Sequence, residues 1–416
     1  MSGPGPAGDP TTGAAAPAKV AHLTTTDMSL RFLLLAQLRG VLDAGGEAIG
    51  ISAPGPWVEG LERQGIRHIP LRSSTRAMRP FADLRAAFQL WRVLRRERPL
   101  VLHTHNPKPG VYGRVIGRLA RVPIVVNTQH GLYATETDSR LKRAVVYTLE
   151  AIAAHCSDAE LVQNPEDLAL LHRRKIAPKA RLLGNGVDLV RFDPARVDAD
   201  ARRAARAELG VGDDAVVVGA VGRLVAEKGF PELFEACARL DPERVTLVVV
   251  GGEDPEKASA LAPEVLAAAR ARGVRLLGHR DDIERLYGAF DVFVLASHRE
   301  GYPRAAMEAA AMGLPLVVSD VRGCREVVVP GRNGELVAIG DARGLAAAIS
   351  RLVEDSQSRA EQGRASREIA LERFDERSIV RIVLDTYRSV ATAKGLVLTL
   401  PASENGPTGL ESPSTT

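Results

Sequence analysis

The sequence predicts an α/β protein with two doubly wound, Rossmann-like domains, and three observations support this. Strand-like runs that are apolar throughout alternate with helical stretches, as expected where helices cover both faces of parallel strands. The alternation occurs between residues 20 and 163 and again from residue 215. The chain also has 416 residues, more than the roughly 250–300 that one hydrophobic core usually organises.

The first series of elements begins after a leader of small residues, Gly and Pro. A long helix is expected at Leu30–Ala44, and further helices separate the later strands. The predicted strands are Val20–Thr24, Ala48–Ser52, Leu100–Thr104, Ile124–Asn127 and Ala159–Gln163.

The second series repeats this pattern with the runs AVVVGAVGRL, VTLVVVGG, VRLLG, DVFVLAS and LPLVVSD. The charged stretch Gly184–Asp200 is the expected linker, and a ligand is expected in a cleft at the carboxyl ends of both sets of strands. The predicted divisions are a disordered leader at 1–17, an N-terminal domain at 18–188, a C-terminal domain at 189–372, a helix at 373–394 that packs back on the first domain, and a disordered tail at 395–416.

Composition excludes several classes of protein. Aromatic residues make up only 4% of the chain, too few for the stacked-ring grooves that bind single-stranded nucleic acid, and no nucleic-acid partner is predicted. Three widely spaced cysteines match no metal-binding pattern and favour a reducing compartment. No apolar run approaches the roughly 20 residues of a membrane span, and the N-terminal residues lack a signal peptide's apolar stretch. We therefore expect a cytoplasmic protein.

The segment GAVGRLVAEKGF is the first candidate for chemistry. A strand leads into a glycine-containing turn that carries Arg223 and Lys228. Two cations at a strand-to-helix turn suit a diphosphate, although solvated charges on a surface turn are an equally good interpretation of the spacing. The glycines do not follow the dinucleotide-binding or P-loop patterns.

The segment SHREGYPRAAMEAAAMGLPLVVSD is the more informative one. Glu300 ends a strand-to-turn segment, and Pro303 suits the first position of a helix. The N–H groups of Gly301 and Tyr302, with the helix dipole, are expected to form an anion site. Glu308 lies two turns along this apolar helix, where its carboxylate could accept hydrogen bonds from the vicinal hydroxyls of a ribose. Burying these carboxylates without partners would be costly, so a functional role is favoured.

Together these two segments resemble the donor-binding half of retaining glycosyltransferase family 4, also called group 1, whose fold is the two-domain GT-B architecture. The first domain agrees with this. HTHNPKPGVYGRVIGRLARVPIVVNTQHGLYATE, LVQNPEDLALL and LLGNGVD resemble bacterial exopolysaccharide and glycolipid transferases of that family. The similarity extends over roughly residues 18–390. It implies an acceptor-binding first domain and a second domain that binds a nucleotide sugar.

The resemblance also implies a role for each matching residue. Arg223 and Lys228 match the pair that holds the donor diphosphate, and Glu308 matches the glutamate that binds the ribose. Glu300 matches the glutamate that contacts the donor sugar, helped by the backbone of Gly301, Tyr302 and Pro303. The remaining matches are His130 as the active-site histidine, Arg280 in the nucleobase region and Asn185 at the inter-domain crossover lining the cleft.

One departure from the family concerns the loop after the first strand. Many members carry two glycines there, close to the donor phosphates, whereas this chain has Asp27, Met28 and Ser29. Gly45 and Gly46 lie a whole helix later and do not replace them. This puts the acceptor geometry and the local phosphate contact in question, but not the donor motif.

The implied reaction moves a sugar from a UDP- or GDP-sugar to a hydroxyl of a lipid-linked saccharide or glycan acceptor, with retention at the anomeric carbon. No metal and no cofactor are expected, because the two cations and the turn supply the charge. Glu300 could serve as a nucleophile, as in retaining hydrolases. We favour a front-face reaction in which Glu300 orients the sugar. A nucleotide-sugar epimerase or phosphorylase on the same fold, and a non-catalytic nucleotide-sugar-binding subunit, are the alternatives.

The histidines of the first domain, and Lys108, are considered for the catalytic and acceptor regions. His130 could instead be an ordinary loop histidine before a glycine. His103 and His105 are expected to point to opposite sides of a strand end, so that only one faces the acceptor, and a role in structure alone is equally plausible. His105 and Lys108 are the acceptor candidates.

The first domain carries a strongly basic stretch. From Gly60 to Arg121 there are 14 Arg and Lys against 3 Asp and Glu. The segment RPFADLRAAFQLWRVLRRERP is expected to place Phe81, Leu84, Phe88, Trp91 and Leu94 on one helix face and arginines around the other. Such a helix can lie on an anionic membrane at the inner face of the cell membrane, although more commonly the apolar face packs on its own sheet.

Overall fold

A computed structural model describes residues 17–75, 79–105, 107–134, 138–212, 214–254, 257 and 259–400. Residues 1–16 of the predicted leader and 401–416 of the predicted tail lie outside the described residues. No helix in the described ranges has the length and apolar character that a membrane crossing requires.

The first sheet has seven strands in the order β3-β2-β1-β4-β5-β6-β7. This order reverses direction at β1 and β4, as in doubly wound folds. The strands are β1 Lys19–Thr26, β2 Glu47–Ala53, β3 Arg67–Pro70, β4 Val101–His105, β5 Ile124–Gln129, β6 Ala159–Val162 and β7 Ala180–Leu182. The helices between and after them are α1 Asp27–Phe32, α2 Leu35–Asp43, α3 Val58–Glu62, α4 Pro80–Glu97, α5 Pro107–Leu119, α6 Arg140–His155 and α7 Pro165–Arg173.

The second sheet has six parallel strands in the order β10-β9-β8-β11-β12-β13. The strands are β8 Val216–Val221, β9 Val245–Val250, β10 Arg275–Leu276, β11 Val292–Leu295, β12 Leu316–Ser319 and β13 Gly334–Val337. The helices of this half are α8 Ala199–Glu208, α9 Phe230–Cys237, α10 Pro263–Ala271, α11 Ile283–Ala289, α12 Arg304–Ala311, α13 Arg322–Arg325, α14 Ala342–Glu354, α15 Ser356–Arg373 and α16 Glu376–Ala393.

The second sheet shows why its strands are apolar throughout. Successive side chains of a strand point to opposite faces. Val217 and Val248 belong to the core on one face, while Val218 and Val249 belong to the core on the other. Because helices cover both faces, every residue of the central strands β11 and β12 is buried. The α/β, doubly wound architecture predicted from the sequence is confirmed.

The chain packs as two compact units. One comprises residues up to Asn127 together with Ala153–Ala159 and the residues from Val383 onward. The other comprises Thr128–Ile152 and Glu160–Ile382. The predicted domain limits at 188 and 372 stay predictions. In the expected linker, Asp198 accepts a hydrogen bond from the N–H of Ala201 at 2.8 Å and caps α8.

Several elements differ from their predicted bounds. The helix expected at Leu30–Ala44 is two helices, α1 and α2, separated by a turn at Leu33–Leu34. The short strands β3, β7 and β13 were not predicted. Each is only partly buried and carries polar or exposed residues, so no continuous apolar run marks it in the sequence. Pro303 occupies the N-cap of α12 and not its first helical position.

The prediction that His103 and His105 point to opposite sides of the strand is wrong. Residues two apart in a strand share a face, and the two ring centroids are 4.1 Å apart. His22 pairs in register with His103 on the neighbouring strand and joins them. The three rings lie buried beneath Tyr387 of α16, whose hydroxyl is 2.7 Å from His103 Nδ1.

Candidate active site

The turn after β8 carries the two predicted diphosphate-binding cations. It lies where the order of the second sheet reverses between β8 and β11, the usual ligand position in an open α/β sheet. Gly229 has a φ of 70°, and a Cβ there would lie 1.9 Å from the carbonyl oxygen of Ala296. Glycine is therefore required for the close approach that brings Lys228 towards β11.

Lys228 and Glu300, which are 72 positions apart, meet at this point. Lys228 Nζ lies 2.6 Å from Glu300 Oε1, and the Glu300 side chain is only 11% exposed. The Ser297 hydroxyl donates to the same oxygen at 2.7 Å. Arg223, the other cation, pairs with Asp254 at 2.5 Å. Each cation is thus held by a carboxylate at the end of the sheet.

The turn from Glu300 to Pro303 is held by its backbone. A Cβ on Gly301 would lie 1.9 Å from the carbonyl oxygen of His130, so only glycine fits. Asn164 Nδ2 donates to the Gly301 carbonyl at 3.2 Å, and Asn185 Nδ2 donates to the Tyr302 carbonyl at 3.3 Å. No described residue accepts a hydrogen bond from the N–H of Gly301 or Tyr302.

Glu308 lies on α12 with a side chain that is 15% exposed. The Tyr287 hydroxyl donates to Oε2 at 3.1 Å, and Arg304 Nε lies 3.8 Å from Oε1. Burial raises the pKa of Glu308, and Arg304 and Tyr287 oppose that rise only in part. A carboxylate in this position benefits from additional donors such as paired hydroxyls.

His130 follows β5, and its carbonyl packs against Gly301. Burial lowers the pKa of His130 to about 4, and a hydrogen bond with Gln163 offsets this only in part. Its imidazole is therefore neutral near pH 7 and can both donate and accept hydrogen bonds. The structure brings His130, Asn185, Glu300, Gly301 and Tyr302 together.

Arg280 is engaged by carboxylates. Its guanidinium donates to both oxygens of Asp282, at 2.8 and 2.7 Å, and to Glu208 at 2.8 Å. These contacts raise the pKa of Arg280. Its assignment to the nucleobase region stays a prediction.

The two acceptor candidates lie in the first unit and are involved in other contacts. His105 is 1% exposed, and its Nε2 is 3.0 Å from His22 Nδ1. Lys108 donates to the Thr75 carbonyl at 2.9 Å and pairs with Asp83. Their role in acceptor binding stays a prediction.

One group of side chains has the composition of a metal site. One ring nitrogen from each of His22, His103 and His105 can be chosen so that all three lie within 4.8 Å of one another. Burial lowers the pKa of His22 to about 3, so its imidazole is neutral near pH 7. The expectation that no metal is needed stays a prediction.

Sequence reasoning missed the residues that support the turn. Asp167 is 1% exposed, accepts hydrogen bonds from the Leu132 N–H at 3.0 Å and from Asn164 at 2.8 Å, and pairs with Arg322. The Asn164 side chain in turn caps α7 by accepting the Asp167 N–H at 2.7 Å. The letters N-P-E-D, with Asn before Pro and an acid three residues later, resemble a capping box and could have indicated this pair.

The loop that replaces the family's two glycines has a structural role. Asp27 is 5% exposed and begins α1. It accepts hydrogen bonds from its neighbour Met28 at 2.9 Å and from the Trp57 N–H at 2.8 Å. The carboxylate therefore ties the end of β1 to the loop after β2.

Comparison with known proteins identifies the chain. Residues 201–369 match the family described as "Glycosyl transferases group 1", and residues 16–186 match "Glycosyl transferase 4-like domain". An Escherichia coli relative, "UDP-Gal:alpha-D-GlcNAc-diphosphoundecaprenol alpha-1,3-galactosyltransferase", is 34% identical over 284 residues, which cover 66% of this chain and 71% of that protein. The chain is a group 1 glycosyltransferase.

Other relatives extend over more of this glycosyltransferase. A Campylobacter jejuni protein, "N,N'-diacetylbacillosaminyl-diphospho-undecaprenol alpha-1,3-N-acetylgalactosaminyltransferase", is 26% identical over 89% of this chain and 99% of its own. Among solved structures, Anabaena HepE in complex with UDP has a TM-score of 0.74 at 23% identity, covering 89% of this chain and 100% of HepE. Such structural neighbours show that the fold is GT-B.

Proposed function

We propose that this glycosyltransferase moves a sugar from a nucleotide diphosphate sugar to a hydroxyl of a lipid-linked saccharide or polysaccharide acceptor. The proposed transfer proceeds with retention at the anomeric carbon and without a metal ion. We favour a UDP-sugar over a GDP-sugar as the donor. The contact of Lys228 Nζ with Glu300 Oε1 at 2.6 Å carries the proposal. It supports the proposal because the proposed diphosphate-binding cation and the proposed sugar-binding carboxylate are in direct contact. The E. coli relative, named for UDP-Gal and a diphosphoundecaprenol acceptor, supports the choice of donor and acceptor class.

Binding of the donor would replace contacts that the site residues now make with one another. A diphosphate competes with Asp254 for Arg223 and with Glu300 for Lys228, and charge-assisted hydrogen bonds from these cations are strong. The N–H groups of Gly301 and Tyr302 at the start of α12 add donors for the same anion. Glu300, released from Lys228, can then accept hydrogen bonds from sugar hydroxyls. Glu308 accepts hydrogen bonds from the ribose.

The reaction proposed is a front-face displacement. The bond between the anomeric carbon and the phosphate oxygen breaks, the bond to the acceptor oxygen forms on the same face, and the acceptor's proton moves to the departing phosphate oxygen. Negative charge grows on the diphosphate, so preplaced cations and N–H donors lower the barrier. His130, neutral near pH 7, contacts the sugar through hydrogen bonds.

We also propose a peripheral cytoplasmic location on an anionic membrane surface, through α4. Four side chains of the predicted apolar stripe are exposed, and Leu94 alone joins Leu90 and Val93 in the core. The more common arrangement, in which the whole stripe packs on its own sheet, is therefore not the one adopted. The exposed stripe is Phe81 at 92%, Leu84 at 72%, Phe88 at 59% and Trp91 at 38%, and Arg85, Arg92, Arg95 and Arg96 are exposed beside it.

A donor and acceptor screen tests the enzymatic proposal. The full-length protein is mixed with UDP- and GDP-sugars, with and without an undecaprenyl-diphosphate-linked saccharide. We expect release of UDP only when the acceptor is present, and an α-configured product from an α-linked donor. Acceptor-independent release of nucleotide, or an inverted product, would contradict it. Epimerisation of the donor would instead support the alternative of an epimerase.

A further inference from the structure

The loop after His130 and the helix that follows it present a surface that the donor site does not use. Tyr133 is 40% exposed. Two cations lie over its ring, Lys142 Nζ at 5.1 Å and the Arg299 guanidinium carbon at 5.4 Å from the centroid. Arg299 also donates to the Leu132 carbonyl at 2.8 Å. The Tyr133 ring therefore has a positive charge from each of two elements held against it.

These cations lie beside the reacting centre. Tyr133 is three residues beyond His130, and Arg299 immediately precedes Glu300. The Lys142 side chain is 40% exposed and pairs with Asp138 at 2.5 Å, and Arg299 is exposed. Both can therefore reach an anion in solvent, next to the place where a sugar would be transferred.

An apolar stripe starts at the same point and runs along α6. Its members are Leu141 at 75%, Val145 at 50%, Leu149 at 45% and Ile152 at 56% exposure. With 3.6 residues per turn these positions fall within about 80° of one another around the helix, and Lys142 borders them. A contiguous exposed apolar surface of this kind usually marks an interaction site.

We propose that Lys142, Arg299 and the α6 stripe bind the acceptor's polyprenyl diphosphate, with the diphosphate on the two cations and the first isoprene units on the stripe. A dianionic group joined directly to a branched hydrocarbon matches two cations held at one exposed ring, one of which, Lys142, borders an apolar face. This inference rests on the proposed function, and it specifies the lipid carrier and where it binds. The saccharide, attached to the diphosphate, then extends towards Glu300 and His130.

Binding of farnesyl diphosphate to the full-length protein tests this inference. The measurements are made with saturating UDP, so that the donor diphosphate site is occupied. We expect the Lys142→Gln/Arg299→Gln variant to bind farnesyl diphosphate at least about tenfold more weakly, since two charge-assisted contacts are lost. The Val145→Ser/Leu149→Ser variant should also lose about tenfold for farnesyl diphosphate, while its weak binding of inorganic diphosphate stays unchanged.

Matched controls lie elsewhere on the same unit. Lys179 and Leu371 are exposed, and Lys179→Gln and Leu371→Ser should bind farnesyl diphosphate as the wild type does. Lys142→Arg should retain most of the affinity because it keeps the charge. UDP affinity and the thermal midpoint are measured for every variant, to show that the donor site and the fold persist.

The outcomes separate this inference from the proposed function. If the wild type binds UDP but not farnesyl diphosphate, or if both double variants bind it normally, the inference is wrong although the glycosyl transfer stands. If farnesyl diphosphate binds as expected but no nucleotide sugar is turned over, the proposed function fails and the lipid site stands. Equal binding of farnesol and farnesyl diphosphate would overturn the role of the cations.

Discussion

Glu300 shares one carboxylate oxygen between Lys228 Nζ at 2.6 Å and the Ser297 hydroxyl at 2.7 Å. In the proposed reaction this carboxylate exchanges Lys228 for hydroxyls of the donor sugar, while the diphosphate takes the lysine. Under this proposal the Glu300 side chain acts on the transferred sugar and contributes little to holding the nucleotide.

Glu300→Gln is therefore expected to reduce turnover by about 100-fold or more, the size seen when one transition-state contact is removed. UDP affinity should change little. Steady-state kinetics and calorimetric titration with UDP measure the two effects, and the exposed Glu372→Gln serves as the control. Unchanged turnover in Glu300→Gln would show that Glu300 does not take part in the reaction.

The second glutamate has an energetic cost in the folded state. Burial raises the pKa of Glu308 in the folded protein above its value in the unfolded chain. The stability that the protonated carboxyl contributes is therefore fully present below the unfolded pKa. It is lost as the pH rises through the folded pKa, because the buried carboxyl must then ionise. Each unit of such a shift corresponds to about 1.4 kcal/mol. A stabilising substitution that harms binding is typical of a functional residue.

Glu308→Gln should therefore raise the thermal midpoint relative to the wild type, and the gain should grow between pH 4.5 and pH 7.5. UDP affinity should fall by about tenfold or more, because a neutral amide accepts ribose hydroxyls more weakly. Thermal unfolding across this range and UDP titration check both. A midpoint difference that does not vary with pH would contradict the assignment.

At the scale of elements, the turn between β11 and α12 depends on close backbone contact. Gly301 packs against the His130 carbonyl. Gly323 packs against Gly301 from another side, and a Cβ on Gly323 would lie 2.5 Å from the Gly301 carbonyl oxygen. Asn164 and Asn185 add side-chain hydrogen bonds. The turn can therefore shift only if the loops around it shift as well.

Gly301→Ala is expected to destabilise the protein by about 1–3 kcal/mol, the usual cost of overpacking, and to abolish most activity. Gly60→Ala, in α3 where a Cβ meets nothing within 4 Å, should be neutral or slightly stabilising. Denaturant unfolding and turnover measure both variants. Full activity in Gly301→Ala would show that the turn is not rigid.

The exposed face of α4 makes a prediction about membrane binding. Phe81→Ser/Leu84→Ser removes apolar side chains that contribute little to the core, so stability should hold while binding to phosphatidylglycerol vesicles falls by about tenfold or more. Wild-type binding should weaken with added salt and be poor on phosphatidylcholine. Vesicle co-sedimentation measures this. Binding that does not change with salt would contradict the proposed electrostatic contribution of the α4 arginines to membrane binding.

At the scale of the whole molecule, tryptophan fluorescence reports on the first of the two units. Both tryptophans, Trp57 and Trp91, lie in the first unit, which also contains His22. Burial lowers the pKa of His22 to about 3, so the folded unit keeps it neutral while the unfolded chain takes up a proton near pH 6.5. Stability from this group is present above that value and is lost as the pH falls towards 3.

The titration of His22 alone should therefore make the free energy of unfolding about 2 kcal/mol smaller at pH 5 than at pH 7. Denaturant unfolding followed by tryptophan fluorescence measures this difference. His22→Gln should flatten the pH dependence even if it lowers stability overall. An unaltered slope in His22→Gln would mean that the ring is solvated.

Much of the fold followed from the sequence alone. Strands buried on both faces must be apolar at every position, so β8, β9 and β11 stood out, and their alternation with helices required parallel pairing. The segment with Glu300, Gly301 and Glu308 was equally visible, because these residues are close in the chain, while its role in binding the donor stays a prediction. Edge strands such as β13, whose two middle residues are only partly buried, lack a continuous apolar run and could not be found in this way.

The tertiary structure decided what depends on distant parts of the chain. The partnership of Lys228 with Glu300, the packing of Gly301 against His130 and the burial of Asp167 join residues whose separation hides them from any local pattern. The exposure of Phe81 and Leu84 was decided in the same way, because an amphipathic sequence shows which residues share a face but not which of its faces the core will cover. Periodicity is a local property, whereas burial depends on the whole chain.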